Sequence, residues 1–251
     1  MEMKNRVGEI RKGNSGLMKI IEYNDASDIK VKFKTGNIIK TRYEHFKSGI
    51  IKDPLFASVW GVGCIGIGKY KPSINRKDTI EYHRWTSMLW RCYDPYFLNK
   101  HQTYKDMAVC NEWLNFQNFA EWFQDNYYKL HNERVELDKD IIKKGNKIYC
   151  PEYCALVPRS INTLITKGDK IRGAYPIGVW FNKQNNKYGA KLHVADGKRK
   201  FLGYFSTPKK AFIAYKTAKE KYIKIMANKY KEILNNNVYK SLMQYQVEIT
   251  D

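Results

Sequence analysis

The 251 residues contain no apolar run of the length that spans a bilayer, about 20 consecutive residues. The N-terminus lacks the charged-then-apolar pattern of a signal peptide. No basic helix with a broad apolar face stands out, which argues against a membrane-surface protein. Cysteine is sparse: Cys64, Cys92, Cys110, Cys150 and Cys154 are scattered, odd in number and form no CxxC pair. That usage predicts a reducing cytoplasm rather than a disulfide scaffold, and buried thiols rather than a zinc site. Acidic residues are also short: 25 Asp and Glu stand against 45 Lys and Arg, for a net charge of +20. A field of that size attracts phosphate backbones through counterion release.

The charge is concentrated. Residues 167–232 hold 17 Lys and Arg against 4 Asp and Glu, a surplus of 13, and the rest of the chain has a surplus of only 7. Within this segment three short β-like runs, Ile177–Asn182, Lys187–Val194 and Lys198–Phe205, are separated by Asn185-Asn186 and Asp196-Gly197. Asp-Gly between alternating runs is a hairpin signal. In the middle run Ala190, Leu192 and Val194 point one way, and Gly189, Lys191 and His193 the other. One face is built to pack; the other is basic and exposed. Ser206-Thr207-Pro208 then offers a hydroxyl cap and a proline at the first helical position. Ala211, Tyr215, Ala218, Tyr222 and Ile225 recur at helical spacing as far as about Tyr230, so the helix is expected to cover the apolar face of the sheet.

Gly178-Val179, Tyr188-Gly189-Ala190-Lys191, Leu202-Gly203-Tyr204-Phe205, Ala211 and Ala214-Tyr215 together resemble the plant ethylene-response-factor (apetala-type) DNA-binding domain. Copies of that domain occur in phage and homing endonucleases. The resemblance covers about a quarter of the chain. It implies double-stranded DNA as partner, with the sheet rather than the helix in the major groove. Carried over position by position, the readers are Trp180, Asn182, Lys191, His193, Arg199 and Phe201. The family usually has Arg at several of these positions. Trp180, Asn182 and Lys191 depart from that pattern, so its base preference does not transfer.

The remaining chain reads as an α+β succession. Residues 1–57 predict a small β-barrel-like module of four short runs broken by Gly and Asn turns, with Ile20, Val31, Phe33 and Ile38 as its core. Residues 58–78 read as a Gly-rich connector; Val59–Tyr70 lacks the Gly-Lys-Ser/Thr ending of a phosphate loop. In residues 79–166, Trp85, Met88, Leu89 and Cys92 share one helix face. Phe116, Phe119, Trp122 and Phe123 share another, with Asn115 as its cap. These aromatics are expected in the core. VELDKDII (135–142), a turn at 143–146, a strand Lys147–Cys150 and a helix opening near Pro158 then give strand, strand, helix. From Asn235 the tail is polar, and reads as a loose end or a short closing strand.

That strand–strand–helix unit resembles the HNH, or His-Me finger, nuclease motif. The motif pairs a first-strand His as general base with a supporting loop Asn and a helix ligand for one divalent metal. The resemblance implies Asp138, Lys139 and Asn146 as the catalytic group. It implies Asp138, Asp140 and Asn162 around an ion such as Mg²⁺. Lys139 stands where the base His belongs, and an ordinary Lys is protonated near pH 7. His83, His101 and His131 are the alternative donors of a base; each also reads as an ordinary surface or core His.

The expectation is therefore an α+β, cytoplasmic DNA-binding protein of phage or prophage kind. It has a central ββα module and a three-stranded antiparallel sheet packed on one helix at 167–234, followed by a tail at 235–251. Two functions follow: an HNH-like endonuclease, or a non-catalytic DNA-binding regulator or host-takeover or anti-defence factor on a degenerate nuclease scaffold.

Overall fold

The computed structural model describes residues 5–166, 174–194 and 197–249. The fold is α+β. In chain order the elements begin with β1 (Ile10–Gly13), β2 (Gly16–Asp25), β3 (Asp28–Phe33), β4 (Ile38–Thr41), α1 (Tyr43–Ser48), β5 (Ser73–Ile74), β6 (Lys77–Asp78), α2 (Ile80–Tyr93) and α3 (Pro95–Lys100). There follow β7 (Ala108–Val109), α4 (Phe116–Asn126), β8 (Val135–Asp138), β9 (Ile148–Tyr149), β10 (Ala155–Pro158) and α5 (Arg159–Ile165). Last come β11 (Val179–Asn182), β12 (Lys187–His193), β13 (Arg199–Phe205), α6 (Pro208–Lys229) and α7 (Asn236–Met243). The chain forms two compact units. One is Met1–Asp125 with Lys147–Cys150; the other is Asn126–Asn146 with Pro151–Asp251. Residue 167, the expected module boundary, and Asp196 of the second turn lie outside the described residues.

In the first unit β1 to β4 form an antiparallel meander in sequence order. Alternation buries Met18, Ile20, Ile29, Val31 and Phe33 against Phe46 of α1. Ile38, expected in this core, is half exposed, and its neighbour Ile39 packs there instead. The four-residue strand presents Ile39 inward, so period 2 sends Ile38 out. The segment expected as a connector is packed rather than loose. The buried Gln117 amide donates to the carbonyls of Ile65 and Tyr70 at 3.1 and 2.9 Å, and accepts from the Tyr70 N–H at 3.0 Å. Trp85, Met88, Leu89, Cys92, Phe116, Phe119 and Phe123 are buried, as their helical spacing predicts, and Asn115 caps α4 through the Gln117 N–H.

In the second unit β8 pairs antiparallel with β10, not with residues 147–150. The short strand β9 runs parallel to β7 in the first unit. The strand–strand–helix order survives as β8–β10–α5, with a long loop between the strands. Helix α6 serves two cores. Ala211, Phe212 and Tyr215 are buried near its start, and Phe212 and Tyr215 pack with Leu192 and Val247. Its second half places Ile223, Met226 and Ala227 among Ile141, Ala155, Val157, Ile161, Leu164, Val238 and Leu242. Each large apolar side chain there contributes about 2 kcal/mol, enough to order a stretch whose exposed side is mostly lysine. Ile225, expected on the buried stripe, is 52% exposed, because the buried side turns toward Ile223 and Met226 where the neighbour changes. Where a loose end or a short strand was expected, the tail opens with a helix: Asn235 caps α7, which buries Val238 and Leu242 one turn apart.

Glu133 ties this unit together. Helix α5 opens at Pro158 with no side-chain cap of its own. The Glu133 carboxylate fills that role, accepting the Ser160 N–H at 2.8 Å and the Ser160 hydroxyl at 3.2 Å. It also accepts from the Tyr230 hydroxyl just past α6. Burial alone would raise the Glu133 carboxyl, but the bonds from Tyr230 and Ser160 outweigh it and hold it below its ordinary value. A depressed carboxyl contributes stability above its unfolded pKa and loses it as pH falls through the folded value. Glu133→Gln should therefore cost about 1 kcal/mol at pH 7, read as a lower Tm. The gap to the parent should close below the carboxylate range. A gap independent of pH contradicts the role.

Candidate functional site

The three-stranded sheet has β12 at its centre. Trp180 faces Gly189, and Gly189 faces Tyr204; Lys191 faces Phe201 and His193 faces Arg199. Ala190 and Leu192 are buried on the side that α6 covers. Strand alternation therefore puts Trp180, Asn182, Lys191, His193, Arg199 and Phe201 on the other side. All six expected readers share one open face.

A seventh residue joins them. The register shifts between Ala190 and Lys191, so Leu202 and Gly203 together occupy one inward step of β13. Gly203 takes φ +124°, which side chains rarely adopt. The bulge returns Tyr204 to the open face, where unbroken alternation from Arg199 and Phe201 would have turned it inward. A glycine inside a strand is the signal that marks such a bulge.

The face is aromatic at its centre and basic around it. The Trp180 ring lies 6.2 Å from Phe201 and 6.4 Å from Tyr204, which are themselves 5.0 Å apart. The indole rests on bare backbone: a Cβ on Gly189 would sit 2.4 Å from its Cζ2. The Lys191 ammonium stands 5.0 Å from the indole centroid, a cation–π distance. Asn182 Nδ2 donates to the Tyr204 hydroxyl at 2.9 Å. Phe201 and Tyr204 remain 54% and 41% exposed. Partial burial, then Arg199, Lys191 and Lys219, push the His193 imidazole below its ordinary value. The positive surroundings that disfavour a charged imidazole favour a phosphate.

The second expected site is the loop after β8. The structure brings Asp138, Lys139, Asp140 and Asn146 together by hydrogen bonds. Asp138 Oδ1 accepts the N–H groups of Asp140 and Ile141, both at 2.7 Å. The buried Lys139 ammonium donates to Asp140 Oδ2 and to the Asn146 carbonyl, both at 2.7 Å. Asn146 returns the contact, donating through Nδ2 to the Lys139 carbonyl at 3.0 Å. Asn162, half-buried on α5, makes no side-chain hydrogen bond to this loop among the described residues. His83 and His131 are exposed, and His101 stacks on Phe97 with centroids 4.2 Å apart.

This loop closes on itself. Among the described residues no three His, Cys, Asp or Glu side chains converge on a metal position. The Lys139 ammonium is already a partner of Asp140 Oδ2. Cys92, Cys150 and Cys154 are buried, and Cys64 and Cys110 half-buried. Comparison with family models, with curated proteins and with solved structures finds no match for the chain.

Burial pushes the Asp138 carboxyl above the usual carboxylate range, and the two N–H donors do not offset it. A raised carboxyl costs stability as pH rises through its folded pKa. Asp138→Asn keeps the acceptor and removes the charge, so its Tm at pH 7 should equal or exceed the parent's. Asp138→Ala leaves two N–H donors without their acceptor and should cost about 1–3 kcal/mol. The turn-forming role is wrong if Asn destabilises as much as Ala.

Proposed function

We propose that the chain binds DNA through the open face of β11–β13 and that the β8–β10–α5 unit serves as scaffold. One observation supports this reading. Basic, polar and aromatic side chains from all three strands converge on a face that no helix covers among the described residues, in the segment with the largest surplus of positive charge. Double-stranded DNA is the partner that the likeness to the ethylene-response-factor domain implies. Lys191 and Arg199 would neutralise phosphates or meet guanine edges. Thermal stability of the fold depends instead on the opposite face, where Leu192 is buried.

The endonuclease reading has less support. Its expected base is the cation Lys139, held between Asp140 and a carbonyl, and Asp138 is spent on a backbone turn. The reading that fits is a DNA-binding regulator or host-takeover factor that keeps a nuclease-like ββα scaffold.

Binding should show strong salt dependence. With about six phosphates neutralised, log K should fall with a slope of roughly −5 against log salt. Replacing Lys191 and Arg199 with Ala should flatten that slope by about 2 and leave Tm nearly unchanged. Leu192→Asp should unfold the module, since it buries an unpaired charge. No binding at low salt, or full binding by the double variant, contradicts the assignment.

Plasmid nicking with Mg²⁺ or Mn²⁺ should not exceed an EDTA control. A general base is worth about 10²–10⁴-fold, so nicking gained in Lys139→His would show an intact metal site lacking only its base. Efficient nicking by the parent overturns the scaffold role.

A further inference from the structure

We infer that the open face of β11–β13 takes unpaired DNA bases, so that the preferred ligand is a single-stranded segment. The inference rests on the DNA-binding reading and specifies its substrate. Major-groove readers work through hydrogen bonds to base edges, which suits Arg, Lys, Asn and Gln. Here the centre of the face is instead three aromatic rings, Trp180, Phe201 and Tyr204, within 6.4 Å of one another. Aromatic rings gain most from the flat faces of bases, and in a duplex those faces are covered by neighbouring pairs. An unpaired strand presents them.

Three further features fit this ligand. The cluster is built rather than incidental. Gly189 removes the side chain that would lift the indole off the sheet, and the Gly203 bulge turns Tyr204 outward. Phe201 and Tyr204 stay largely exposed although burial would stabilise them, which leaves ring area for a partner. The rim is cationic: Lys191 and Arg199 share the face, and Lys187 lies opposite Asn182 at the neighbouring register position. Rings for bases inside a rim for phosphates is the pattern of sequence-tolerant single-strand binders. The charge complementarity points to a polyanion rather than to an apolar protein partner.

The test uses the full chain and fluorescence anisotropy at one fixed salt concentration. The probes are labelled dT20, a 20-base-pair duplex and rU20. The expected result is dT20 bound about tenfold or more tightly than the duplex. Phe201→Ala and Tyr204→Ala should each weaken dT20 about fivefold or more. Both side chains are exposed, so Tm should hold; the conservative Tyr204→Phe should retain binding to dT20 and confirms stacking over a hydroxyl contact. Duplex bound as tightly as dT20, or dT20 binding unchanged in the Phe201→Ala/Tyr204→Ala double variant, overturns the inference and leaves DNA binding standing. Tighter binding of rU20 than of dT20 overturns the assignment to DNA. No binding to any probe overturns the underlying reading as well.

Discussion

Helix α6 is buried on two different neighbours along its 22 residues, and the second unit depends on that constraint. Its first half covers the inner side of β11–β13, and its second half closes the core of β8, β10 and α5. Tyr222 packs against both cores, so the two expected modules share a helix instead of meeting at a linker. The consequence for function is one of rigidity. A sheet backed along its length by a helix that is itself anchored holds its open face in fixed relief. A binding surface gains most when little has to be ordered on contact.

The polar groups divide along the same line. Those inside the second unit are spent on holding it. Glu133 joins the start of α5 to the end of α6, and Lys139 and Asn146 lock the loop after β8. Those on the open face of the sheet, Lys191 and Arg199 foremost, are not spent on any core. Lys187, Lys191 and Arg199 lie on the open face of the sheet.

Much of this was legible in the chain. Period 2 with apolar residues on one side and basic residues on the other predicted the sheet and its two faces, and the resemblance to the ethylene-response-factor domain implied the six outward side chains. Thr207 and Pro208 predicted the start of α6, whose cap is the Thr207 hydroxyl. What escaped has identifiable physical causes. ALVP, the strand β10, is buried at every position, so it has no alternation to read. The strand expected at Lys147–Cys150 is present as β9, but its partner β7 lies far away in sequence, which periodicity does not register. Val238 and Leu242 are the only fully buried anchors of α7, spaced one turn apart in a polar tail. Lys139 was placed at the base position by resemblance to the nuclease motif; that it is buried, with Asp140 and the Asn146 carbonyl as partners, could not be read from sequence because Lys is seldom buried. Tyr204 was hidden by a bulge that strict alternation does not contain.

The central claim is that ligand meets the chain on the open face of β11–β13. Chemical-shift mapping of the full chain during DNA addition tests it most directly. The account predicts the largest changes at the Trp180 indole N–H and at the amides of Gly189, Lys191, Phe201 and Tyr204, with the loop around Asp138 and Lys139 unmoved. Changes centred on that loop or on β1–β4, with the sheet face silent, would contradict it.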